Sequence, residues 1–186
     1  VRVTLCTVLG LVVLIMVASW FAPQRTVVVE ELVAEPGVRL ERVRELVSDL
    51  DQWRSWSPVF AAGSHRLEVR PGATTAGLGG SLALVFDEEF EVLLMLASVE
   101  EGRVTVEARS GTVADDLEGG AGFRSWDEIT FAAADDGRVH LVWTRTGADL
   151  DLRLLRLWDR FVIAPQARRQ IRAGLEALAA AARPPV

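Results

Sequence analysis

The stretch "DLDQWRSWSPV", residues 49–59, places Trp53 and Trp56 three residues apart and closes on Ser-Pro. The whole chain has only six tryptophans, so two within one short stretch mark a place where large rings are needed. At i, i+3 spacing both rings fall on one side of a helix. Pro58 disfavours helix at Ser57, so the pair is read as the closing turn of a helical segment. Such rings either seat that segment on a core or wall a cavity, and Trp56 is the ring expected to border it.

Outward from this stretch the pattern is ordered. Upstream, "VRLERVRELVSDL" carries Val38, Leu40, Val43, Leu46, Val47 and Leu50 at helical spacing with Arg and Glu between them. Before it, "RTVVVEELVAE" is β-branched and predicts a strand, interrupted by Pro36 and Gly37. Downstream, residues 66–146 read as about six strands separated by turns, with "EEGR" and "DDGR" as hairpin turns, and none of these segments has helical periodicity. Residues 151–183 return to a helical pattern. Leu154, Leu157, Phe161, Ala164, Arg168, Ile171, Leu175, Leu178 and Ala182 form one 3-4-3-4 stripe, and Pro165 within it predicts a kink.

Residues 3–22 contain no charge, and twenty residues at about 1.5 Å rise span the hydrocarbon layer of a bilayer. Trp20 and Phe21 sit where an interfacial aromatic anchor would. The segment is read as one N-terminal transmembrane helix, with a cleaved signal peptide as the rival reading because "VAS", residues 17–19, resembles a cleavage site. The chain thus divides into an anchor, residues 1–24, and a domain, residues 25–183. A single-pass membrane location is expected, with the domain on the extracytoplasmic side.

Strand, helical pair, antiparallel meander and long final helix is the order of the helix-grip fold, an α+β architecture in which a curved sheet wraps the last helix. "DLDQWRSWSP" resembles the D-L-x-x-W-x-x-W-S-P signature of the SRPBCC superfamily, in its polyketide cyclase/dehydrase and lipid-transport (START-like) branch. "GLGG" at residues 77–80, "DDGRVHLVWTRTG" at 135–147 and "IRAGLEALAAAA" at 171–182 resemble later landmarks of that family, in order. The resemblance implies an apolar cavity between sheet and helix, and hydrophobic or amphipathic small molecules as ligands.

Composition removes several other functions. The net charge of −6 argues against a nucleic-acid surface, which needs clustered positive charge. A lone Cys6 and two separated histidines, His65 and His140, offer no metal centre, and no cofactor is expected. "GLGG" lacks the context of a dinucleotide fingerprint and is read as a turn. His140 falls on an outward strand face with no evident partner.

Candidate cavity residues follow from strand alternation. Leu141, Trp143 and Arg145 share one face of "RVHLVWTRT" with Val139; Asp127 and Phe131 share one face of "FRSWDEITF" with Ser125 and Ile129. Val104, Val106 and Ala108 are the inward set of "RVTVEAR", whereas Trp126 is assigned outward, as a possible partner or membrane patch. From the final helix come Leu157, Trp158, Phe161 and Arg168. A buried guanidinium needs a carboxylate or a wet cavity, so Arg168 is expected either to project inward, with Asp127 and Arg145 as neighbours, or to reach solvent. Three functions stand open: a membrane-tethered binder of a hydrophobic or lipid-like molecule, a cyclase- or dehydrase-like enzyme using Asp127 with Arg168, and an interaction domain whose cavity is filled by its own side chains.

Overall fold

Alternation of apolar residues along seven segments builds one antiparallel sheet. A computed structural model describes residues 22–23, 25–61, 66–115, 117–118, 122–148 and 153–184, without the side chains of Ala61, Arg153 and Leu154. The expected transmembrane segment, apart from Ala22, lies outside the described residues, as does His65. Among the described residues no helix is long and apolar enough to cross a membrane.

The order is β1 (Val27–Val33), α1 (Leu40–Val47), a 3-10 turn (Gln52–Ser55), α2 (Pro58–Ala61), β2 (Leu67–Pro71), β3 (Ser81–Phe86), β4 (Phe90–Glu100), β5 (Arg103–Thr112), β6 (Phe123–Ala133) and β7 (Val139–Thr146), then α3 (Arg153–Trp158), a π turn (Asp159–Ile163) and α4 (Ala164–Ala181). Spatially the strands run β1-β7-β6-β5-β4-β3-β2. Five consecutive hairpin neighbours and a first strand that closes on the last make a meander with β1 and β2 at the edges. The predicted turn at Gly102 is tight, since Glu100 and Arg103 already pair across it.

One face of the sheet is apolar and buried. Leu84, Leu96, Val104, Val106, Ile129 and Leu141 lie on it, and α4 supplies Ala167, Ile171, Leu175, Leu178 and Ala182 against it. Removing such side chains from water is the main favourable term in forming this layer. "GLGG" is a turn, as expected, with Gly77 and Gly79 at φ 72 and 81, where a side chain would be strained. The Gly77 N–H donates to the Ser48 carbonyl and the Gly79 N–H to the Leu96 carbonyl, which ties the end of α1 to β4.

Two helical expectations are corrected. The chain does leave helix at Ser57, as Pro58 predicts, but Pro58 also starts α2, and the tryptophans sit on and just after a separate 3-10 turn rather than at the end of α1. Proline is favoured in a first helical turn because its missing N–H has no intrahelical partner there anyway. In the last segment the irregularity precedes Pro165 rather than falling on it. Pro165 cannot donate to the Phe161 carbonyl and its ring crowds that group. The chain widens into a π turn, in which the Ala164 N–H donates to the Asp159 carbonyl five residues back.

That wider turn shifts the helix register, so the stripe read from sequence breaks at Ala164. The buried positions continue through Ala167, Ile171, Gly174 and Leu175, while Phe161, Trp158 and Arg168 are exposed and Leu157 is half-buried. Gly174 is needed for close approach: a Cβ there would lie 2.7 Å from Trp143 Cζ3 and 3.1 Å from Pro58 Cδ. Gly174→Val is expected to destabilise the protein by about 1–3 kcal/mol through overpacking, read as a lower midpoint in a urea melt.

Candidate functional site

The tryptophans of the opening stretch complete α1 before they do anything else. The Trp53 Nε1–H donates to the Val47 carbonyl at 3.2 Å and the Trp56 Nε1–H to the Leu46 carbonyl at 3.3 Å. Both acceptors belong to the last turn of α1, whose carbonyls lack helical partners. Each ring therefore fills apolar space and satisfies a buried acceptor at once. Trp143 of β7 joins them, with ring centroids 6.2 Å from Trp53 and 5.8 Å from Trp56 in edge-on geometry, and Trp53 to Trp56 is 4.9 Å.

Beyond this aromatic wall lies a cavity of about 380 Å³ between the sheet and the start of α4. Apolar lining comes from Val28, Val92, Leu94, Ala108 and Ala167, and Trp53 and Trp143 close the inner end. Thr26, Phe90, Ser110, Gly147 and Asp159 border the end away from that wall.

The polar feature of the interior is one ion pair. Asp127 on β6 faces Arg145 across the β6–β7 register. Arg145 Nε donates to Oδ1 at 2.7 Å and Nη2 to Oδ2 at 2.9 Å, and the Trp143 Nε1–H also donates to Oδ1 at 2.7 Å. The Asp127 side chain is 4% exposed and that of Arg145 31%, so the carboxylate is sealed while the guanidinium borders the cavity. Burial pushes the Arg145 pKa down, but attraction and hydrogen bonding from Asp127 outweigh it, and the group stays above the ordinary arginine value. Nη1 of Arg145 has no protein partner among the described residues.

Of the ten residues expected at the cavity, the structure brings Asp127, Trp143 and Arg145 to its lining. Phe131 and Leu141 face inward as expected but are buried in the adjoining core. Trp56 lies behind Trp53, which is the ring that borders the cavity. Leu157, Trp158 and Phe161 do not line it, because the π turn rotates them away.

Of the two outcomes expected for Arg168, the structure shows the route to solvent and not the inward one. Its side chain is 64% exposed and its Nε pairs with Glu30 Oε1 at 3.1 Å, with Arg172 Nη1 on the other oxygen at 3.7 Å. Glu30 falls on the inner-face alternation of edge strand β1, with Val28 and Leu32, and the two arginines of α4 neutralise it at the rim. Arg168 thus finds a carboxylate at the rim rather than Asp127 inside, and the Asp127–Arg168 pair nominated for acid–base work does not form. Arg168→Ala is expected to change stability by only about 0–1 kcal/mol, as exposed pairs do, in the same melt.

Other placements are plain. His140 does have a partner: its Nε2 is 2.6 Å from Glu31 Oε1 on the outer face. Trp126 is on the outer face as expected, with the Arg25 guanidinium 5.6 Å above its ring. Sequence reasoning missed Ser57, Asp159, Gln166 and Gln170 in the lining. The Gln166 and Gln170 spacing of one helical turn was a usable signal, hidden by the register change before Pro165. Among the described residues no group of three or more His, Cys, Asp or Glu is placed to hold a metal ion.

Comparison with known proteins places this geometry. No family model and no curated protein matches the chain. Solved structures do match. A protein of Chromobacterium violaceum is 17% identical and superposes with a TM-score of 0.57 over 86% of this chain and 98% of its own. A major latex-like protein of Panax ginseng, 8% identical, gives 0.56 over 87% of this chain and 100% of its own. Truncated norcoclaurine synthase of Thalictrum flavum, 16% identical, gives 0.55 over 83% and 91%. The fold these structures share with the chain is the helix-grip, a curved antiparallel sheet against a long final helix. At such identities the likeness extends to the backbone of the helix-grip domain alone.

Proposed function

We propose that this helix-grip domain is a membrane-tethered binding protein, holding one hydrophobic or amphipathic, lipid-like molecule between its sheet and final helix. The observation that carries the reading is the cavity of about 380 Å³, lined mainly by apolar side chains with one organised charged pair. That volume is in the range of small-molecule sites, which are typically about 300–1,000 Å³ and mostly apolar. The Trp53, Trp56 and Trp143 cluster fills one end of the grip yet leaves this space beside it, which supports a binder over a side-chain-filled core. Arg145, held by Asp127 at the cavity lining, offers guanidinium donors to a carbonyl, hydroxyl or acidic head group. The tether is residues 3–22, whose length and lack of charge fit one membrane span, with the domain on the extracytoplasmic side. A ligand that partitions into a bilayer would be within reach of such a tethered domain.

The test is uptake of a fluorescent fatty acid by the purified full chain. Saturable binding is expected, and Ala167→Phe on α4 or Ser110→Phe on β5, which fill the cavity from opposite walls, should each weaken it at least tenfold while the melting transition persists. Uptake unchanged in both folded variants would place the probe elsewhere and remove the cavity from the account.

A further inference from the structure

Exposed apolar residues are normal when scattered, and informative when gathered. Here most of them gather at one end of the domain; Leu78 in the 77–80 turn and Val29 and Val33 along β1 lie elsewhere. The sheet register sets the start of β1 beside the end of β7 (Val27 with Thr146), and the start of β6 beside the end of β5 (Phe123 with Ser110). It likewise sets the start of β4 beside the end of β5 (Phe90 with Thr112). Val27, Phe90 and Phe123 are all exposed there, Phe123 at 58%. The helical segment before α4 closes over the same end, since Asp159 approaches the Gly147 position that follows β7. In that segment Asp159 and Ile163 turn toward the cavity, while Phe161 is 68% exposed and Trp158 57%.

Two further features converge on this end. The cavity borders it through Thr26, Phe90 and Gly147. The uncharged run of residues 3–22 also joins the domain here, because Arg25, three residues on, is held over Trp126 and β1 begins at Val27. A chain of so few residues leaves this end within about 20 Å of wherever that run terminates, at roughly 3.3–3.6 Å per residue.

We infer that this aromatic end docks on a phospholipid bilayer, with Trp158, Phe161 and Phe123 entering the interface and the cavity mouth facing the lipid. The inference rests on the tethered-binder reading and adds an orientation to it. Tryptophan and phenylalanine are the side chains that favour the membrane interface. Charge does not drive the contact: Asp87, Glu88 and Glu89 in the β3–β4 turn offset Arg124, Arg156 and Arg160. A zwitterionic surface is therefore sufficient, and the contact should resist salt, unlike one made by a polybasic patch. Docked in this way, the α3–π-turn segment is both the cover of the cavity and the part that touches lipid, and ligand passes between bilayer and cavity without crossing water.

The experiment uses the full chain with Cys6→Ser, carrying a nitroxide label at Phe161→Cys, at Phe123→Cys or, at the opposite end, at Asp136→Cys in the β6–β7 turn. Each variant is reconstituted in phosphatidylcholine vesicles, and its collisions with oxygen and with a water-soluble nickel chelate are compared. Melting curves matching the parent establish that each is folded. Labels at 161 and 123 are expected to be several-fold richer in oxygen and poorer in nickel contact than the label at 136, unchanged in high salt. Labels at 161 and 123 as open to nickel as the one at 136, in chains that sediment with vesicles, would overturn docking and leave the tether standing. Shielding from both reagents would mean that protein covers this face, residues 3–22 or a second copy, and would also overturn it. Chains that do not sediment with vesicles would remove tether and docking together, while fatty-acid uptake in the same samples reads the cavity separately.

Discussion

Asp127→Ala is expected to destabilise the protein by about 3–5 kcal/mol, because it strips one partner from a buried, hydrogen-bonded ion pair. Three donors lose their acceptor at once: the Trp143 indole N–H and the Nε and Nη2 of Arg145. The indole sits at 2% exposure and cannot turn to water, so an orphaned donor adds to the penalty of the unpaired guanidinium. The double replacement Asp127→Leu with Arg145→Met removes both charges and is expected to recover much of the loss, since buried pairs often contribute little over an apolar pair of like volume. Urea melts of the three variants decide it. A single Asp127→Ala loss near zero would mean that Arg145 finds another route to solvent and that the pair is not an organised feature of the interior.

Trp56→Ala is expected to cost about 3–5 kcal/mol, the range for deleting a fully packed large ring. Trp56 packs against Trp53 and Trp143 and donates to the Leu46 carbonyl, so its removal opens a void and leaves a helix-end acceptor unmet. Trp56→Phe keeps part of the packing but not the hydrogen bond, and should fall between wild type and alanine. Because Trp53, not Trp56, borders the cavity, fatty-acid affinity at temperatures where Trp56→Phe is folded should change little. A strong loss of affinity with unchanged stability would instead make Trp56 a ligand contact.

The strand order and the inward faces of β5, β6 and β7 were legible because hairpin strands on a one-sided core alternate strictly. Val104 and Val106, Asp127 and Ile129, and Leu141 and Trp143 all landed on the face that alternation assigned. Edge strand β1 shows where that signal stops. Its outward positions Val27, Val29 and Val33 are the more apolar set, yet Glu30 takes an inner-face position because α4 brings Arg168 and Arg172 to the rim. No pattern within the strand carries that partner.

The final helix was legible from Ile171 onward and misleading before it. Heptad-like spacing assumes one continuous α-helix, and Pro165 breaks the assumption a turn upstream of itself by widening residues 159–163. The same shift that took Leu157, Trp158 and Phe161 off the inner stripe put Asp159, Gln166 and Gln170 at the cavity. For the tryptophan pair, spacing showed that both rings share a side but not that both cap α1, because the acceptors are backbone carbonyls that sequence does not distinguish.

The most direct test of the proposed function is native mass spectrometry of the full chain taken from its own membranes, followed by solvent extraction of whatever it carries. The account predicts a discrete one-to-one adduct of lipid-like mass, present in the parent and absent from folded Ala167→Phe. A bare protein mass in both, with no fatty-acid uptake by the parent, would contradict it and leave the cavity without a ligand.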